Sequence, residues 1–135
     1  MVDTFLIPQN TVVTEKGEGA ATDISAAAHR VFLITLAIGQ IVEQESIDVS
    51  VFGSADGNIW SPKALVSFPQ KFYRGETPIL LDLTTEPAIK MLRAHWEVNR
   101  WGRGSEKPMF EIQARLKEVP AEMLQQAGAE AKART

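Results

Sequence analysis

The sequence predicts an all-β domain, an antiparallel β-sandwich over residues 5–119, followed by an Ala-rich tail at 120–135 that is helical or disordered. Three observations carry this expectation. Apolar and polar residues alternate with a period of two through four segments, the pattern of a strand with one face hidden. The segments are separated by turn chemistry rather than by amphipathic helical stretches, which favours an antiparallel sandwich over a parallel α/β sheet. Composition then changes abruptly after Val119.

Residues 10–15 form a short strand candidate, and residues 15–22, rich in Gly and Ala, read as a loop. Residues 30–38 are apolar on both faces, with Phe32, Ile34, Leu36 and Ile38 on one and Val31, Leu33 and Ala37 on the other. Such a strand is either central and covered on both sides, or its second face meets the tail or a partner. In residues 46–53, Ile47, Val49 and Val51 share a face opposite Asp48 and Ser50. The Asp56-Gly57 pair that follows suits a turn needing positive φ, and residues 64–68 are a second short strand candidate. In residues 77–84, Ile79, Leu81 and Leu83 share a face opposite Asp82. Leu92, Ala94, Trp96 and Val98 alternate with Arg93, His95, Glu97 and Asn99, and Phe110, Ile112, Ala114 and Leu116 alternate with Glu111, Gln113, Arg115 and Lys117. In the tail, Pro120 suits a first helical turn, and Met123, Leu124, Ala127 and Ala131 would form a narrow apolar stripe. A helix this short is marginal unless it docks, so fraying is favoured.

At 135 residues the chain fits one domain, with 44% hydrophobic and 23% charged residues. Its 14 basic residues are outnumbered by 17 acidic ones. That balance argues against a general nucleic-acid binder, which needs surplus Lys and Arg to displace counterions. Cysteine is absent, which removes disulfides and thiolate metal sites. No basic, apolar leader opens the sequence, and the most apolar run, residues 31–38, is too short to span a bilayer. The expectation is a cytoplasmic protein without membrane insertion.

No catalytic constellation stands out. His29 precedes an apolar strand and His95 lies on a solvent face between Arg93 and Glu97, so both read as ordinary surface histidines. Asp48, Asp56 and Asp82 do not single out a carboxylate pair. Asp56 and Asn58 could ligate calcium, but a plain tight turn is favoured. The expectation is therefore no enzyme, no cofactor and no metal.

Two stretches are unusual. Residues 90–107 combine Lys90, Arg93, Arg100, Arg103 and Lys107 with Trp101 among glycines, a loop-tip composition suited to stacking on a sugar ring. The alternative is that Trp101 folds back to cap the sandwich. Residues 68–75 add Phe72, Tyr73 and Arg74. The candidate ligand or partner surface is thus Tyr73, Arg74, Arg100, Trp101 and Arg103. Phe52, Leu80, Met91, Met123 and Leu124 are the candidate apolar interface.

The run Ile47-Asp-Val-Ser-Val-Phe-Gly-Ser-Ala-Asp-Gly-Asn-Ile-Trp60 resembles the discoidin family (coagulation-factor type C domains), in which a strand ends in Ser-x-Asp-Gly-x-x-Trp. Ser54, Asp56, Gly57, Trp60, Arg93 and Trp96 are the matching positions, and the resemblance covers residues 46–118. It implies an eight-stranded jelly roll that binds glycans, lipids or proteins through loops at one end, with Trp60 packing across the sandwich. The family's terminal cysteines are missing here, and the N-terminal half is short.

These readings lead first to a non-enzymatic structural or protein–protein interaction module, self-associating or part of a larger assembly. A carbohydrate-binding module using Tyr73, Arg100, Trp101 and Arg103 is the alternative, followed by a hydrolase working with carboxylates alone.

Overall fold

The computed structural model describes residues 2–41, 45–71, 74–100 and 109–120. All regular structure among them is strand: β1 (Asp3–Val13), β2 (Gly17–Glu18), β3 (Thr22–Asp23), β4 (Val31–Ile41), β5 (Glu45–Ser54), β6 (Val66–Ser67), β7 (Gly75–Asp82), β8 (Met91–Arg100) and β9 (Phe110–Glu118). They form two sheets, ordered β1-β9-β4-β7 and β2-β8-β5-β6, with β3 also pairing β8.

β2 and β3 run along one edge of β8, Gly17 opposite Trp96 and Asp23 opposite Met91, as two halves of one interrupted strand. With those halves joined, the antiparallel pairs nest: β1 with β9, β2/β3 with β8, β4 with β7, β5 with β6. This is a long hairpin folded once. Rolling it lays β9 beside β4 and β8 beside β5, which are the remaining pairings. The result is a jelly roll, whose closure into two sheets leaves only short or guarded edges. On the β6 side the edge is two residues long, and the longer edges β1 and β7 carry Pro8 and Pro78, which cannot donate to an added strand.

The alternation seen in the sequence sets the core. Phe32, Ile34, Leu36 and Ile38 of β4 and Phe110, Ile112, Ala114 and Leu116 of β9 meet Ile47, Val49 and Val51 of β5 and Leu92 and Ala94 of β8. Trp96, Val98 and Ile79 pack against this cluster while half-buried. Each fully buried large side chain contributes about 1.5–3 kcal/mol. β4 is central, flanked by β9 and β7; on its apolar second face Val31 is buried, whereas Leu33 and Ala37 are half-buried.

Three expectations change. Residues 15–22 are not simply a loop, because Gly17–Glu18 and Thr22–Asp23 pair with β8; their small, polar residues lack the alternation that marks strands in sequence. The 10–15 candidate is the end of an eleven-residue strand that bends at Asn10, where φ is 59°, and that loses register between Phe5 and Thr11. The 64–68 candidate shrinks to β6. The tail, including Met123 and Leu124, lies outside the described residues.

One end of the sandwich is closed by polar groups. Glu118, the last residue of β9, stands opposite Phe32 and is buried. Its carboxylate accepts hydrogen bonds from the backbone N–H of Val2 (2.9 Å), Ala28 (3.1 Å) and His29 (2.9 Å). At the same end the Arg30 guanidinium donates to the carbonyls of Glu86 (2.6 Å) and Ile89 (2.7 Å), fastening the β7–β8 connection to the start of β4.

Candidate functional site

Paired antiparallel strands place opposite residues on the same face. Along β5 and β8 the outward pairs are Phe52 with Arg93, Ser50 with His95 and Asp48 with Glu97. On the other side of β8, Glu18 of β2 stands opposite His95. The outer face of the second sheet therefore gathers three carboxylates, an arginine, an imidazole and a phenyl ring beside one another.

The turn after β5 adds Trp60. Ser54 Oγ accepts the N–H groups of Asp56 (3.2 Å) and Gly57 (2.8 Å) and donates to the Ile59 carbonyl (2.6 Å). Asp56 Oδ1 accepts the N–H groups of Asn58 (2.8 Å) and Ile59 (3.0 Å). Those bonds from Ile59 and Asn58, with Ser54, hold the Asp56 carboxyl below its ordinary pKa. Gly57 sits at φ 83°, a conformation that a side chain would strain. The turn is self-contained and its carboxylate is committed to backbone donors. It closes on a bridge between Ser54 and Trp60, which aims the indole back over the sheet.

Trp60 does not pack across the sandwich, as the resemblance had implied. The Arg93 guanidinium lies over its ring, 4.2 Å from the centroid. Arg93 Nη2 meets Glu18 Oε2 at 2.9 Å, so the cation is held between an aromatic face and a carboxylate. Its Nε is buried and has no hydrogen-bond partner among the described residues. His95 stands edge-on to Phe52, with centroids 5.9 Å apart, and its ring nitrogens lie 4.0 Å from Glu18 and 3.6 Å from Glu97. Those separations are too long for hydrogen bonds. Together Glu18, Phe52, Trp60, Ser61, Arg93 and His95 line a depression of about 190 Å³.

Chemically the basin offers an arginine donor, one carboxylate acceptor, an imidazole able to do either, and two aromatic rings. Ser61 is the hydroxyl at its rim, and it donates to the Lys63 carbonyl at 2.9 Å. It is thereby tied into the turn rather than to His95, which is not the arrangement of an activated nucleophile. Beyond the basin the face remains hydroxyl- and amide-rich: Ser50 and Ser67 share a hydrogen bond at 3.0 Å, and Gln70 donates to Asp48 at 3.2 Å.

The residues singled out from the sequence are distributed differently. Arg74 is exposed just before β7, and Arg100 ends β8; both lie at the end of the sandwich opposite Trp60. Tyr73, Trp101 and Arg103 lie outside the described residues. Of the apolar candidates, Phe52 lines the basin and Met91 is half-buried on the same sheet, whereas Leu80 is half-buried on the other sheet beside Leu33. They do not form one surface. Glu18 and His95 carry no motif that marks either as a site residue in the sequence. The signal available was parity: on β8, Arg93, His95 and Glu97 share a face, and outward Phe52 on a neighbouring strand is an apolar residue where a polar one is expected.

No protein-family model matches the chain, and a search of curated proteins finds no match.

Proposed function

We propose that this domain is a non-catalytic binding module that takes a neutral, hydroxyl-rich ligand, a carbohydrate, on the outer face of its second sheet. The observation that carries the reading is Arg93, fixed between Trp60 and Glu18 and lining a basin that also holds Phe52 and His95. A guanidinium so held is pre-oriented to donate to a ligand oxygen, with aromatic surface beside it for the apolar face of a sugar ring. The local charge favours a neutral ligand. Glu18 already balances Arg93, and Glu97 and Asp48 on the adjoining row would repel an anion. The jelly-roll order is the architecture that the resemblance to the discoidin family implies, and members of that family recognise ligands through loops at one end.

Screening the full chain against a glycan array, followed by calorimetry on the hits, tests this. Wild type binds a neutral glycan, and Trp60→Ala and Arg93→Ala each weaken it at least tenfold. A wild type that binds no neutral glycan, or variants that bind as wild type does, would overturn the reading.

A second reading, self-association, is favoured by the outer face of the first sheet, where Leu33 stands beside Leu80 and Thr35 beside exposed Pro78. Light scattering at rising concentration checks it: growth in mass that Leu80→Glu abolishes supports the reading, and a constant monomer mass ends it.

A further inference from the structure

Beside the basin, at the end of the sandwich, lies a second and larger depression of about 420 Å³. Its lining is the more apolar of the two, with Ile59, Pro62, Leu65, Ala88 and Ile89 beside Trp60, although Glu86 also borders it. Trp60 and Ser61 line both depressions, so what separates them is one indole and one hydroxyl.

We infer that the ligand is amphiphilic: a glycoside whose sugar occupies the basin and whose apolar aglycone crosses Trp60 into this cleft. The inference rests on the carbohydrate reading and specifies its ligand class. Size is the first argument. Ligand pockets commonly run about 300–1,000 Å³; the basin alone falls short, whereas the cleft, by itself or joined to the basin, falls inside that range. Chemistry is the second. A wholly polar ligand would leave the cleft wet, and a wholly apolar one would bury the Arg93–Glu18 pair against hydrocarbon without replacing its hydration.

Rigidity is the third argument. The cleft is bordered by backbone held on several sides: Ser61 N–H donates to the Gly53 carbonyl (2.9 Å), Lys90 N–H to the Ser54 carbonyl (2.9 Å), and Arg30 to the Glu86 and Ile89 carbonyls. A pre-formed space loses little entropy on being filled. Ile59, on its rim, is 78% exposed, and it and Val12 are the large apolar side chains left open among the described residues. An apolar substituent in the cleft would cover Ile59.

The test compares methyl and phenyl glycosides of the sugar selected by the array, measured by calorimetry on the full chain. The phenyl glycoside binds about tenfold more tightly, as burial of one face of a small ring implies. Ala88→Phe fills the cleft from an exposed position, so it removes the phenyl advantage and leaves methyl glycoside binding unchanged. Equal affinities in wild type, or a phenyl advantage that survives Ala88→Phe, overturns this inference alone. Failure of both glycosides to bind wild type overturns the carbohydrate reading beneath it.

Discussion

Glu118 is the residue whose removal should be felt most for its size. It is 1% exposed, and its two oxygens accept three backbone N–H groups from segments distant in sequence, Val2 on one side and Ala28 and His29 on the other. Hydrogen bonds to a charged group contribute about 1.5–3 kcal/mol each, less when they share one carboxylate. Glu118→Ala removes all three and leaves the donors in a partly buried site, so the expected cost is about 3–5 kcal/mol, a large share of the 5–15 kcal/mol typical of a domain. Glu118→Gln keeps one acceptor oxygen but turns an NH₂ toward donors on the other side, for a cost of about 2–3 kcal/mol. Burial pushes the Glu118 carboxyl up, but the N–H groups of Val2, His29 and Ala28 outweigh it and hold it below the ordinary value of 4.5. A depressed folded pKa means that the carboxylate stabilises the fold above about pH 4.5 and ceases to as pH falls through the folded value. The stability gap between wild type and Glu118→Gln should therefore be constant near neutrality and shrink on acidification below that point. Urea unfolding followed by tryptophan fluorescence, from pH 7 to pH 3, reads both effects. The other depressed carboxyls, Asp3, Asp23, Asp56 and Asp82, are common to both proteins and cancel in the difference. A Glu118→Ala protein within 1 kcal/mol of wild type, or a gap that widens toward acid, would refute the reasoning.

Inner and outer residues of the sandwich should separate cleanly in denaturant melts. Ile112→Ala, in the core, is expected to cost about 2–5 kcal/mol, whereas His95→Ala, on the basin side, should stay within roughly 1 kcal/mol of wild type; equal costs would mean that His95 is a packing residue. Ser54→Ala deprives Asp56 and Gly57 of an acceptor and Ile59 of a donor, and it should cost about 1–3 kcal/mol. Because the Ser54 turn aims Trp60, its effect should be non-additive with Trp60→Ala by at least about 0.5 kcal/mol in a double-mutant cycle, and strict additivity would show that the turn does not position the indole.

The fold was legible because its core is written at period two. Ile47, Val49 and Val51, Leu92 and Ala94, and Phe110 through Leu116 are buried as their alternation predicts, and no longer-range information is needed to assign their faces. β2 and β3 were not legible for the converse reason: two-residue strands of Gly, Glu, Thr and Asp carry no apolar alternation, and their pairing is dictated by the edge of β8 rather than by their own sequence. The site suffered most from this. Glu18 sits on such a strand, so its approach to Arg93 and His95 depends on a long-range pairing that local pattern does not encode. Trp60 was noticed, but its direction was set by hydrogen bonds within the turn, and a tryptophan beyond a strand is equally at home over the core or over the sheet's outer face. The basic and aromatic stretches stood out by composition alone. Composition says which side chains are present, and it cannot say which end of a sandwich they occupy.

β8 shows how the fold supports the basin. Each of its residues serves one of two sides: Leu92 and Ala94 are buried in the core, while Arg93 and His95 between them face outward. The inner residues fix the strand's position through contacts with β5 and the opposing sheet, so the outer residues inherit that position without contributing to it. Directly opposite outward residues on paired strands, such as Phe52 and Arg93, are held at the strand spacing of about 5 Å, close enough for Phe52 to reach His95 diagonally and for Arg93 to meet Trp60 from the turn. A site mounted in this way can change its side chains with little cost to folding, provided that the inner set is kept. On the proposed carbohydrate reading, ligand preference would be carried by Glu18, Phe52, Trp60, Arg93 and His95. Substitutions there should alter what is bound before they alter whether the chain folds.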